Sequence, residues 1–355
     1  MKKLVSLAAS VLLALSFVSC GEKIDSSGWL SNYDDAKKIA REENKRLFLF
    51  FSGDDFDEIS RTLKENVFNT EDFLKVYTEK YVLLNLDYSN SRYDSEQSEL
   101  TADLKVFEKY NPKALPSFII ASKEGYYITT IALDANADLD TVRITFDEAE
   151  PAISEFESKV ERTKTGSKEE RLAAINEIFN ETDPGLVYHL SDLNKLYLSL
   201  DKDNSTGECA KHLSALVYAR ANDFLLEGKA EKASQEFEKL AKNKFLSDSE
   251  KQMSLYTAGY LLASSGSKDL KKIQAYLQKA IDIDPESEEA QNIKAVLTQV
   301  QMMIDGEGDE LPENYDVPNA PDNTDSPVAE APSEQNASDS PLSENSATSS
   351  VSTQD

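Results

Sequence analysis

An α/β domain followed by an all-α domain and an acidic tail is the architecture that this 355-residue chain predicts. Three observations lead there. Arg46 to Phe51 and Tyr81 to Tyr88 are short, continuous apolar runs set between helical stretches, the pattern of strands covered on both faces. From Ser167 to Ile304 apolar residues recur at helical spacing with no strand-like run between them. Beyond Gly306 the periodicity stops, and Pro, Ser, Asn, Asp, Glu and Ala dominate.

The first domain, residues 28–162, reads as helix, strand, helix, strand, helix, strand, strand, helix. Asp34 to Asn44 places Ala36, Ile39 and Ala40 on one helical face, and Arg46 to Phe51 is the first strand. Ile59, Leu63 and Val67 repeat at i and i+4, which predicts a helix there; Tyr81 to Tyr88 is the second strand. Asn90 to Gln97 is a polar stretch, read either as a recognition loop or as a plain connection to a helix over Glu99 to Tyr110. Ser117 to Ala121 and Tyr126 to Ala132 flank Glu124 and Gly125 as a hairpin. Phe146 to Val160 closes the domain as an acidic helix with Ile153 and Phe156 inward.

Phe50 to Phe68 then resembles the active-site segment of a thioredoxin-like protein, in which a buried strand leads through Gly and an aromatic residue into Cys-x-x-Cys and a helix. The two cysteine positions fall on Asp57 and Ser60, expected at an exposed helix start. Neither can form a thiolate or resolve a mixed disulfide. Trp29, Ala36, Ala40 and Lys45 match a branch of that superfamily, as do Val67 and Phe68. Leu115, Pro116, Ser117 and Phe118 resemble its loop carrying a cis-proline that faces the active site. The resemblance implies the fold without a catalytic residue. For Asp54, Asp55, Asp57 and Glu58 two readings stand. One is a site for a hard cation; the other is four carboxylates set against the positive end of a helix dipole. Ser60 has no histidine nearby in sequence to activate it, because His189 and His212 belong to the second domain.

The second domain, residues 167–304, reads as seven helices: Glu169–Asn180, Leu186–Leu200, Cys209–Leu226, Lys229–Ala241, Glu250–Ser264, Asp269–Ile283 and Ser287–Met303. Two adjacent hairpins resemble tetratricopeptide repeats, on Phe224, Gly228, Ala233 and Phe237, then on Leu255, Gly259, Leu277, Ala280 and Pro285. Ile273 stands where that pattern has a small residue, and the turn at Ser264 to Lys268 is long for it. Stacked helix pairs of this kind leave a groove for a peptide; a closed bundle is the alternative. Tyr188, Tyr197, Tyr218, Tyr256 and Tyr260 suit either core or groove, and Cys209 reads as a small packing residue.

Residues 1–19 carry a basic start at Lys2 and Lys3 and an apolar run from Leu4 to Val18, too short for a comfortable span. With Ser19 before Cys20 this resembles a bacterial lipoprotein signal, although Phe17 stands where that family has Leu. An ordinary secretory signal is the other reading. The resemblance implies an acylated Cys20, a tether over residues 20–27 and a lipid-anchored place in the bacterial envelope. Cys209 is the only other cysteine, which argues against an intramolecular disulfide. The net charge of −27 excludes nucleic acid as a partner. Residues 305–355 are expected to be a disordered acidic tail, with twelve acids and no Lys or Arg beyond Gly306. The expectation is a non-catalytic protein-binding or scaffold module, with no cofactor, no metal and an unidentified protein or peptide partner. A thiol–disulfide oxidoreductase or its accessory, and a surface adhesin, are the alternatives.

Overall fold

The computed structural model describes residues 28–95 and 100–306. The expected signal peptide, Cys20, the tether and the tail beyond Gly306 lie outside those residues. Four strands form one sheet in the order β2-β1-β3-β4: β1 Arg46–Ser52, β2 Tyr81–Asp87, β3 Ser117–Ala121 and β4 Tyr127–Ile131. β1 and β2 are parallel, and β1/β3 and β3/β4 are antiparallel.

The unbroken apolar run of β1 follows from its central place, because side chains alternate between two covered faces. Phe48 and Phe50 join a core with Trp29, Phe68, Phe73 and Phe146. Leu47, Leu49 and Phe51 join the opposite core with Ala36, Ala40, Val106 and Tyr110. α1 (Tyr33–Glu43) and α5 (Leu100–Tyr110) cover that second face. Asn32 caps α1 by accepting from the Asp34 and Asp35 amides at 2.9 and 3.1 Å. Arg46, the one charge on β1, is held by Glu150 and Glu157 at 2.8 to 2.9 Å.

The first face is covered by α2 (Glu58–Leu63), a π-helical turn over Lys64–Phe68, α3 (Glu71–Tyr77) and α6 (Leu139–Thr165). The helix expected from Ile59 to Val67 therefore changes pitch at Lys64. The wider turn lets the adjacent Val67 and Phe68 both be buried, and the Phe68 carbonyl accepts from the Trp29 indole at 3.3 Å. α3 was not expected; Thr70 caps it, and Phe73 and Tyr77 bury its inner face. Asn90–Ser95 corrects the loop reading, since it forms the short helix α4. Residues 96–99 are not described, so the expected helix start at Glu99 lies outside. α6 begins at Leu139 rather than Phe146 because Asp138 caps it, and Val142 extends its buried stripe back past Pro151.

α6 runs on to Thr165, and Ser167 opens α7 (Lys168–Glu181) with a capping box. A 3-10 turn at Val187–His189 precedes α8 (Ser191–Leu200). α9 (Cys209–Leu226), α10 (Ala230–Leu240), α11 (Asp248–Ser264), α12 (Leu270–Ile283) and α13 (Glu288–Asp305) complete the domain. From α8 onward each helix packs on the next, and α11 also touches α13. Gly228 turns the chain between α9 and α10 at φ 69°, while Ala233, Phe237, Ile273, Leu277 and Ala280 are buried in the shared core. Tyr197 and Tyr256 are core residues, and Tyr218 packs edge-on against Phe237.

Candidate functional site

Parallel pairing brings the carboxyl ends of β1 and β2 to one edge of the sheet, with Ser52 beside Asp87. Antiparallel pairing sets Ser117 of β3 opposite Phe51, so Pro116 arrives at the same edge. The Leu115–Pro116 peptide is cis. Asp57 and Ser60 stand there too, at the start of α2.

Ser60 is fully buried, which corrects the expectation of an exposed position. Its hydroxyl donates to the Asp57 carboxylate and accepts from the Gly53 amide at 3.3 Å. Asp57 also accepts the Ser60 amide at 2.7 Å and is the cap of α2. The reason for the burial is local: the chain folds back from Gly53 into a capped turn, and the third helical residue points inward over it. Sequence spacing alone did not distinguish the half-buried cap from the enclosed residue behind it.

The acidic quartet does not act as one cluster. Asp54 is ion-paired with Lys64, and its amide donates to Asp87 at 3.2 Å. Asp55 accepts the Ser91 amide at 3.0 Å. Of the four, Asp57 and Glu58 meet the first turn of α2. Four carboxylates on one dipole is thus corrected to two, because the Gly53 turn holds Asp54 and Asp55 away from the helix. Among the described residues no group of three or more His, Cys, Asp and Glu is placed to hold a metal ion.

The polar stretch beside the site is built in. Arg92 donates to the Asp87 carbonyl at 2.8 Å and pairs with Asp103 at 2.9 Å. Tyr93 donates to the Asp103 carboxylate at 3.1 Å and Tyr88 to the Asp103 carbonyl at 3.0 Å. Burial, reinforced by the Asp103 charge, pushes both phenols above the ordinary tyrosine range.

Phe56 is the residue that sequence reasoning passed over. It is 55% exposed, and its ring lies against Gly53, where any Cβ would collide with it. An aromatic residue amid four acids was the available signal. The described thiol, Cys209, is remote in sequence and buried; it donates to the Asp201 carbonyl at 3.1 Å, and burial pushes it up to about 11. No described helix is long and apolar enough to cross a membrane.

A family described as "Thioredoxin-like" matches residues 28–118, from the start of the described chain through the first residues of β3. A second, described as "Uncharacterised protein C-terminal domain", matches residues 209–305, which are α9 to α13. Over 235 residues the chain is 21% identical to an "Uncharacterized protein" of Treponema pallidum (strain Nichols), covering 65% of this chain and 77% of the relative. It is also similar to a solved structure titled "DsbH Oxidoreductase", with a TM-score of 0.30 and 13% identity, covering 38% of this chain and 94% of that one. The chain carries a thioredoxin-like α/β domain with a four-stranded sheet, followed by an all-helical C-terminal domain.

Proposed function

We propose that the protein is a non-catalytic lipoprotein of the bacterial envelope, anchored through acylated Cys20. Its thioredoxin-like domain and a tetratricopeptide-like helical array hold a protein or peptide partner. The observation that carries this reading is the state of Ser60, a buried hydroxyl tied to Asp57 and Gly53 where the family resemblance sets a resolving thiol. An oxygen there cannot exchange with a disulfide. Exposed Phe56, at the same sheet edge as the cis Leu115–Pro116 peptide, supports binding at the thioredoxin-like face. The burial of Tyr197 and Tyr256 in the core takes two of five tyrosines away from a groove on the helical domain.

Insulin reduction by the full mature chain, with dithiothreitol as electron donor, tests the reading. The expected rate is that of the buffer. A rate above it would overturn the non-catalytic role and favour a thiol–disulfide oxidoreductase. Binding of an unfolded reduced peptide, lost on Phe56→Ser, is expected if this face holds the partner.

A further inference from the structure

On α1, Tyr33, Lys37 and Arg41 succeed one another at one-turn intervals and share a face. Lys109 joins them from α5. All four meet the turn between β3 and β4. The Tyr33 hydroxyl, Lys109 Nζ and Lys37 Cδ crowd the place a side chain would take on Gly125, the last two at 3.3 and 3.4 Å from it. Arg41 reaches the Glu124 carbonyl at 3.5 Å.

The hydrogen bonds have a forced direction. Tyr110 donates to the Gly125 carbonyl at 3.0 Å, so at the 2.9 Å contact between the two hydroxyls Tyr33 is the donor. Tyr33 then accepts from Lys109 Nζ at 2.7 Å. Lys37 and Lys109 also lie over the Tyr33 ring, at 6.0 and 5.0 Å from its centre.

The cations lack their counter-charge. Among the described residues neither Lys37, Arg41 nor Lys109 has a carboxylate within ion-pair distance, in a chain with 65 acidic and 38 basic residues. Glu124 is taken by Lys164 at 2.9 Å. Asp34 of α1 and Asp192 of α8 act only from longer range. Burial, then the neighbouring positive charge, holds both amines below the ordinary lysine value, Lys109 at about 7. Burial favours pairing of such a charge, and three positive groups together repel one another.

We propose that Lys37, Arg41 and Lys109 form a binding site for a phosphate or carboxylate group, seated over the Glu124–Gly125 turn. The donors suffice: two N–H groups remain on Lys109, three on Lys37, and most of the Arg41 fork is free for a bidentate contact. An anion there would neutralise a repulsion that the protein itself leaves in place.

Acetic anhydride labelling of lysines in the full mature chain, read by mass spectrometry, tests this without any variant. Three arms are run: inorganic phosphate, acetate, and vesicles of phosphatidylglycerol. Labelling of Lys37 and Lys109 is expected to slow several-fold in at least one arm, while exposed Lys195 and Lys239 react unchanged. Protection by phosphate or acetate identifies a free anion as sufficient; protection by vesicles alone identifies a lipid headgroup. Calorimetry of the protecting anion with Lys37→Gln/Lys109→Gln should show binding weakened about tenfold or more. Unchanged labelling in all three arms, or undiminished binding by a folded double variant, would overturn the site.

Discussion

The Ser60 hydroxyl is a junction between the strand end and the helix start, since it donates to Asp57 and accepts from the buried Gly53 amide. Ser60→Ala should cost roughly 1–3 kcal/mol in urea unfolding, because an enclosed N–H loses its partner. Asp57→Ala should cost about 1 kcal/mol, the usual value of a helix cap. Introducing sulfur by Asp57→Cys with Ser60→Cys places one thiol half-exposed and one fully enclosed. With Asp55 and Glu58 close by in sequence, alkylation at pH 7 should be slow at the first and slower at the second. Equal, fast alkylation of both would contradict the buried geometry. A third residue, Gly125, sits at φ 84° with the Tyr33 hydroxyl pressed against it. Gly125→Ala should lower stability by at least about 1–2 kcal/mol from backbone strain alone.

Among the elements, α9 carries a buried histidine, His212, and the 3-10 turn before α8 carries His189. His212 is fully buried, its two ring nitrogens 2.7 and 3.0 Å from the amides of Asn194 and Asn176, and Tyr197 stacks on it at 3.8 Å. A neutral ring donates from one nitrogen and accepts at the other, so one amide must present its NH2 group. Burial holds His212 at about 3 and His189, beside Lys109, at about 4. Both lie below the ordinary value, so the unfolded chain binds more protons. Their stabilisation is complete above about pH 6.5 and is lost as the pH falls from there toward 4 and 3. At pH 4.5 each should have forfeited about 2–3 kcal/mol. Urea midpoints between pH 7.5 and 4.5 would measure this, and His212→Gln should flatten the curve. The same helices show what periodicity conveys: α9 begins and ends as expected, since its Cys209 to Leu226 stripe is long. α3 and α4 were missed because six or seven residues present too few turns for a stripe to be seen.

For the whole molecule, the contacts between domains decide how it unfolds. Tyr126 of the hairpin and Val160 of α6 share a core with Leu172, Ile175, Leu190, Leu193 and Cys209. Lys105 of α5 pairs with Glu227 at the end of α9 at 2.8 Å, and hydrogen bonds from Lys105 and Lys229, then their charges, hold Glu227 at about 2. A fragment ending at residue 160 would lose the last turn of α6 and bare this core, so it should aggregate where residues 28–306 stay soluble. Calorimetry of residues 28–306 is expected to show a single transition; two well-separated transitions would mean that the domains are independent. Removing residues 307–355 should shift Tm by no more than about a degree, because a segment without apolar periodicity adds little to a core. If Cys20 carries the lipid anchor proposed above, Cys20→Ala should move the protein from the membrane to the soluble fraction, or leave it unprocessed, as measured by fractionation of cells.

Composition and periodicity by themselves determined the two-part architecture, the four strands and the long helices, because each of these is a repeated local preference that burial reinforces over several turns or pleats. That Asp57 and Ser60 carry no sulfur was equally legible, as residue identity alone decides it. Tertiary structure alone decided the rest. It separated Ser60 from solvent and split the acidic quartet among Lys64, Ser91 and α2. It also gathered Lys37, Arg41 and Lys109 on one turn. Such groupings join residues tens of positions apart through the order of strands in the sheet, and no local spacing in the chain encodes which distant charge will become a neighbour.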